Sequence, residues 1–181
     1  MEGSRIQGAR VGVVGGGIAG LAVAAALVRR GAVVTVFERA PALRSMGGAL
    51  VLWTNALHAL ARLGLAASVR ARGVELRHAL ICNRKGEPLW DLPVGALADE
   101  LGAPSVAIHR ARLLELLAEA SDGATLETGA RVSSVHERAS AARIEFDGRP
   151  TAEFDLVIGA DGVHSEVRRS LLDDGPPRTA G

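Results

Sequence analysis

Between Arg10 and Glu38 the chain runs strand, glycine turn, helix, strand, acid. Arg10 to Val14 is a short β-rich run. Gly15, Gly17 and Gly20 follow at G-x-G-x-x-G spacing, and Ile18 to Arg30 is an Ala/Leu-rich helix ended by Gly31. Ala32 to Phe37 is a second β-rich run closed by Glu38, followed by Arg39. Packed into about thirty residues, this order predicts a βαβ unit. Each glycine has a steric reason: Gly15 permits a tight turn off the strand, Gly17 lets a pyrophosphate approach the backbone, and Gly20 lets the helix pack against the sheet. The helix start at Ile18 and Ala19 offers free N–H groups and the positive end of the dipole to phosphate. Glu38 is placed to accept hydrogen bonds from both hydroxyls of an adenosine ribose, and its charge disfavours a 2′-phosphate there. The bland alternative is a glycine loop in an ordinary α/β protein. The register of strand, helix, second strand and terminal acid favours dinucleotide binding.

A length of 181 residues allows one domain, or one and a fraction. At 48% apolar residues the chain can bury a core, and a net charge of +1 gives no case for nucleic-acid binding. The single cysteine, Cys82, excludes an internal disulfide, fits a reducing cytoplasm and reads as a small buried apolar residue. No signal peptide or membrane-spanning run stands out, so a cytoplasmic protein is expected. The five histidines show no metal-ligand spacing, no G-x-S-x-G elbow occurs, and no catalytic acid or base is nominated.

Thr54 to Leu63 reads as a helix with Thr54 as a possible cap. From Val74 to Asn83 the pattern has period two, NRKG makes a turn, and Glu87 to Leu92 returns as a second strand. Trp90 is expected as a packed core aromatic. Pro93 to Pro104 shows no strong periodicity and reads as an irregular connection. Arg110 to Ala120 is a helix with Leu113, Leu114, Leu116 and Leu117 on its apolar face. Arg110 opposes the dipole at its start, which is easier to understand if it points at a phosphate or another ligand. Segments 125–128, 131–137, 143–147 and 151–158 read as strands, with Asp147-Gly148 as a hairpin turn. Leu156 to Ile158 is expected as a buried parallel strand. It ends in Gly159-Ala160-Asp161-Gly162, where ligands bind in open α/β sheets.

Four stretches resemble one family in the correct order. They are GGGIAG with its FERA ending, MGGALVLWTNALHALARLGL from Met46, AIHRARLLELLAEA from Ala107, and GADGVHSEVRR from Gly159. They resemble the FAD-dependent aromatic hydroxylases and monooxygenases related to para-hydroxybenzoate hydroxylase. The resemblance implies an α/β fold with a Rossmann-like FAD-binding domain over 1–73 and 106–181. Residues 74–105 would then hold the first hairpin of a substrate-binding sheet and its connection. It implies FAD as cofactor and NAD(P)H as transient electron donor. The activity implied is hydroxylation or epoxidation, with O₂, of an aromatic or polyketide-like small molecule. Arg44, Gly47 and Gly48 would pass the isoalloxazine ring, though Arg44 reads equally as a solvated loop charge. Arg110 would contact flavin, Val132 would lie on a strand beside the adenine, and Asp161 and Gly162 would lie by the pyrophosphate, with Arg168 supporting them.

The family's chains continue to a Gly-Asp motif and further helices that do not follow here. The resemblance therefore implies a fragment, a truncated product, or a reduced protein that completes its site as a homo-oligomer or with a partner chain. Two other readings stay open: a non-catalytic FAD-binding half-protein, and an NAD-binding oxidoreductase domain. Neither nucleic acid nor membrane is expected as a partner.

Overall fold

A computed structural model describes residues 6–43 and 47–172. The chain opens with β1 (Arg10–Val14), α1 (Ile18–Val28), β2 (Val33–Glu38), β3 (Ala49–Leu52), α2 (Thr54–Arg62) and α3 (Ala66–Arg72). It continues through β4 (Val74–Leu76), β5 (Ala79–Cys82), β6 (Pro88–Leu92), α4 (Val94–Leu101), β7 (Ser105–His109) and α5 (Arg110–Ala120). The last third holds β8 (Thr125–Thr128), β9 (Val132–Glu137), β10 (Ala142–Phe146), β11 (Arg149–Phe154), β12 (Leu156–Gly159) and α6 (Glu166–Leu172). These elements form two compact units, one from residues 1–44 with 117–181, the other from 45–116.

The first unit is an α/β layer. Its parallel sheet has the order β12-β1-β2-β8. β1 lies inside the sheet, and Val11, Val13 and Val14 are all buried, as an interior parallel strand requires. α1 follows β1 and buries Leu21, Ala24, Ala25 and Leu27. It stops at Gly31, whose left-handed backbone lets the Ala32 N–H reach the Leu27 carbonyl at 3.1 Å. An antiparallel meander, β11-β10-β9, belongs to the same unit. Val14, Phe37, Val132, Val135, Ile144, Phe154 and Val167 share one core cluster with Ala130. The Phe37 ring lies 4.9 Å from that of Phe146 and 5.7 Å, edge on, from that of Phe154. Each such side chain, fully buried, contributes about 1.5–3 kcal/mol. Gly12 belongs to this packing: a Cβ there would lie 2.9 Å from Phe154 Cδ2.

The second unit has an antiparallel sheet, β3-β7-β4, and the separate hairpin β5-β6. α2, α3 and α4 each pack on β7.

Several expectations are corrected. The segment after Pro93 is a helix, α4, which buries Val94 and Gly95 against its own unit and ends where Gly102 turns at φ 73°. Residues 74–82 are two strands in different sheets. The break falls at Arg77, whose carbonyl accepts the Gly95 N–H at 2.7 Å and is thereby taken by the start of α4. The run 151–158 breaks at Asp155: its carboxylate accepts the Arg10 N–H at 2.7 Å, and its own N–H donates to the Arg10 carbonyl at 2.9 Å. This clamp turns the chain from the meander into the parallel sheet. β12 is consequently an edge strand, with Leu156 43% exposed, rather than a buried one. Thr54 does not cap α2; its hydroxyl donates to the Ala103 carbonyl at 3.0 Å, and Trp53 holds the N-cap position. Cys82 and Trp90 are exposed, because the two-stranded hairpin has no further layer within its own unit to cover them.

Candidate nucleotide-binding site

The register of the parallel sheet brings distant residues together. Val14 pairs with Gly159 on one side and with Phe37 on the other, and Glu38 pairs with Thr128. The carboxyl ends of all four strands therefore lie side by side. Gly15, Glu38 and the Ala160-Asp161 turn sit at those ends, where an open parallel sheet holds its ligands.

Backbone contacts are close there. The Gly15 N–H donates to the Phe37 carbonyl at 2.8 Å, and the Ala160 N–H to the Val14 carbonyl at 2.7 Å. Gly15 has φ 109°, and a Cβ on it would lie 2.4 Å from the Ala160 carbonyl oxygen. A Cβ on Gly20 would lie 1.8 Å from the Gly15 carbonyl oxygen. Gly17 differs: nothing lies within 4 Å of its Cβ position. Gly15 and Gly20 are thus required by the protein's own backbone, whereas the room over Gly17 is left for something else. Gly17 is the N-cap of α1, and the N–H groups of Ile18, Ala19 and Gly20 have no acceptor within the helix. Open space over exposed amide donors at a helix start suits a phosphate.

Glu38 is held by two backbone donors, the Gly16 N–H on Oε2 and the Ala40 N–H on Oε1, each at 2.8 Å. A carboxylate offers about four acceptor positions, so two remain for a vicinal diol. Arg39, beside it, is exposed.

Asp161 caps α6. Its Oδ1 accepts the Ser165 hydroxyl at 2.6 Å, and its Oδ2 accepts the N–H groups of Glu166 at 2.7 Å and Val167 at 3.2 Å. The Ser165 oxygen accepts the Arg168 N–H at 3.0 Å, and Arg168 Nη2 donates to the Val163 carbonyl at 3.0 Å. The Asp-Gly turn is therefore fixed from the helix side, and its backbone is what approaches Gly15. Gly162 is exposed at φ 86°. The Val132 side chain packs in the core cluster, so any contact of this residue with a ligand would come from its backbone.

The second unit carries its own small constellation. The Arg110 N–H donates to the Gly48 carbonyl at 3.1 Å, and the Gly47 Cβ position lies 3.4 Å from Arg110 Cδ. Gly47 sits at φ 132°, and the space over Gly48 is open. Arg44 lies outside the described residues.

Sequence reading missed Gly16 and Gly12, and the part Ser165 plays in the cap. A glycine inside a strand was the available signal for Gly12. The spacing of Asp161, Ser165 and Arg168 was the signal for the cap. A polar cluster on β9 and β10 was also missed. There the Ser134 hydroxyl donates to Glu145 at 2.8 Å and lies 3.0 Å from His136 Nε2. The Ser134 hydrogen bond lowers the Glu145 carboxyl from its ordinary value; desolvation opposes it, and His136 and Arg143 add smaller effects in the same direction as Ser134. The hydroxyl proton goes to the carboxylate, so the imidazole is not set as its base.

Cavities of about 340 Å³ beside β12 and about 370 Å³ beside α4 contain none of the expected site residues. Among the described residues, no helix is long and apolar enough to cross a membrane, and no group of three or more His, Cys, Asp or Glu could hold a metal ion.

Comparison with known proteins agrees with this geometry. The family described as FAD binding domain matches residues 8–174. The chain is 44% identical, over 178 residues, to 3-amino-4-hydroxybenzoate 2-monooxygenase of Streptomyces cremeus, covering 95% of this chain and 44% of that protein. It is 38% identical to aurachin C monooxygenase/isomerase of Stigmatella aurantiaca, covering 96% of this chain and 45% of that protein. Klebsiella pneumoniae HpxO, solved with FAD and uric acid, superposes with a TM-score of 0.84 at 28% identity, over 94% of this chain and 43% of that one. The chain spans less than half the length of the curated relatives it matches.

Proposed function

We propose a function from one premise, that this chain belongs to the FAD-binding domain family: it is the FAD-binding half of a monooxygenase that oxidises an aromatic small molecule. The observation that carries the proposal is the meeting of Gly15, Gly17, Glu38 and the Ala160-Asp161 turn at the carboxyl ends of adjacent parallel strands. The residues present fit the cofactor. The open position over Gly17 and the first-turn N–H groups of Ile18 and Ala19 would receive the pyrophosphate. The two spare acceptor positions of Glu38 would take the adenosine ribose hydroxyls. Asp161 and Gly162 would shape the phosphate-side wall through their backbone. Gly47, Gly48 and Arg110 would serve the flavin end, with the guanidinium offering hydrogen bonds to a ring edge or a phosphate. Bound flavin would supply the redox chemistry, taking electrons from NAD(P)H and activating O₂ for transfer to the substrate. The protein's part is to bind, orient and keep water out. The relatives named for hydroxybenzoate and aurachin substrates support an aromatic substrate class.

A second reading has its own support. The hairpin β5-β6 exposes Leu80, Ile81, Leu89 and Trp90. Such a surface fits a half-protein that works only when a second copy or another chain covers it.

Fluorescence titration of the purified 181-residue chain with FAD tests the core of the proposal. Saturable binding is expected, and its absence overturns the proposal. NAD(P)H oxidation with formation of a hydroxylated product then separates the enzyme from the non-catalytic half-protein.

A further inference from the structure

We propose that Glu38 is a positioning residue for the phosphate-binding turn. It acts on a nucleotide through Gly16 as well as through any ribose contact. The inference rests on the FAD reading above and extends it.

Two bonds tie the turn to the end of β2. One is backbone to backbone, from the Gly15 N–H to the Phe37 carbonyl at 2.8 Å. The other runs through a side chain, from the Gly16 N–H to Glu38 Oε2 at 2.8 Å. The second oxygen, Oε1, is anchored by the Ala40 N–H at 2.8 Å, and the Glu38 carbonyl accepts the Ala130 N–H at 2.9 Å. Glu38 is thus fixed at its backbone and at both carboxylate oxygens before any ligand arrives. Gly16 is buried and has no slack: a Cβ there would lie 3.0 Å from Glu38 Cβ and 2.9 Å from Leu43 Cδ2. The conformation of the turn and that of the Glu38 side chain therefore specify each other.

Two consequences follow. The Gly16 N–H is spent on Glu38, so phosphate must be met by later donors, from Gly17 onward. The ordering cost of the Glu38 side chain is met in folding rather than in binding, which favours affinity. Removing the carboxylate frees the Gly16 N–H and loosens the turn, and this weakens a nucleotide even when the nucleotide has no ribose hydroxyl to lose.

The test compares ADP with 2′,3′-dideoxy-ADP by calorimetry on the full chain, in the wild type, Glu38→Ala and Glu38→Gln. It adds hydrogen exchange at the Gly16 amide. For Glu38→Ala the affinity for dideoxy-ADP should fall about tenfold, the scale of one charge-assisted hydrogen bond. ADP should fall further, and the Gly16 amide should lose protection while amides in β1 keep theirs. Glu38→Gln retains one acceptor oxygen and should fall between. It carries the same comparison if the alanine variant does not fold. Unchanged affinity for dideoxy-ADP with weakened ADP would overturn the proposal and leave Glu38 as a ribose ligand alone. If the wild type binds neither ADP nor FAD, the FAD reading fails by itself. Gly16 exchange still decides the latch: faster exchange in the variants supports it, and unchanged exchange overturns it.

Discussion

The glycine turn of the first unit and the β5-β6 hairpin of the second use the same materials, strands and tight turns, to opposite ends. At the turn the backbone and carboxylate are tied by named bonds, with only the first-turn N–H groups of α1 and two positions on Glu38 left over. Gly15, Gly16, Ala40 and Ala160 all donate to named acceptors, and Val11 and Val13 are fully buried beneath them. In the hairpin, Leu89 is 67% exposed and Trp90 56%, and polar side chains pair mainly with one another, His78 with Asp91 and Asn83 with Glu87. A strand interior to its sheet has two neighbours to complete its hydrogen bonds and layers to cover its faces. A two-stranded ribbon has neither and is marginal by itself. The first unit thus specifies its own site, whereas the hairpin is specified only as far as its own register.

That contrast can be broken by substitution. The largest effect should come from Gly20→Ala, whose methyl would meet the Gly15 carbonyl oxygen at 1.8 Å. A backbone collision has no soft partner to yield, so we expect a loss of about 3 kcal/mol or more in urea denaturation. A near-neutral result would mean that the turn is loosely held. Gly17→Val separates binding from folding. Its Cβ position is open, so thermal unfolding should show at most the modest cost of a poorer N-cap, about 1 kcal/mol, while FAD affinity falls at least about a hundredfold, about 2.7 kcal/mol. A Gly17→Val chain that still retains FAD would remove the phosphate from this turn. Asp161→Ala removes the cap of α6 and should lower stability by about 1–2 kcal/mol, with a smaller effect on FAD affinity than Gly17→Val. A larger effect on affinity than on stability would assign the carboxylate directly to the ligand. The smallest change is expected for Trp90→Ser, within about 0.5 kcal/mol, because an exposed side chain gives up little on truncation. Sedimentation velocity on the same variant should show less self-association. A cost above about 1 kcal/mol would show that the hairpin is covered after all.

Legibility in the sequence followed the same division. The βαβ unit was readable because strand period, glycine spacing, helix composition and terminal acid all pointed to one answer within a short segment. Glu38, Gly15 and Gly20 stand where that pattern puts them. What was not readable depended on contacts far apart in sequence. Nothing local to Val74–Cys82 says that Arg77 gives its carbonyl to Gly95, yet that bond divides the run between two sheets. Nothing local to 151–158 says that Asp155 meets Arg10, 145 residues away. Helix α4 was missed for a different reason: its apolar stripe of Val94, Leu97 and Leu101 is present, but two turns are too short to stand out between two prolines. Val132 is placed on a strand beside the adenine by resemblance alone; alternation along β9 sends its side chain to the core, which no local pattern announces.

The three glycines of the turn also predict how this sequence would drift. Gly15 and Gly20 answer to carbonyl oxygens of the chain itself, 2.4 Å and 1.8 Å from where a Cβ would stand. Gly17 answers to empty space. In a descendant released from selection for a nucleotide, position 17 is free to acquire any residue that suits a helix N-cap, while 15 and 20 stay fixed as long as the domain folds. A homologue with glycine at 15 and 20 and a bulky residue at 17 would then be a lineage that kept the architecture after losing its ligand.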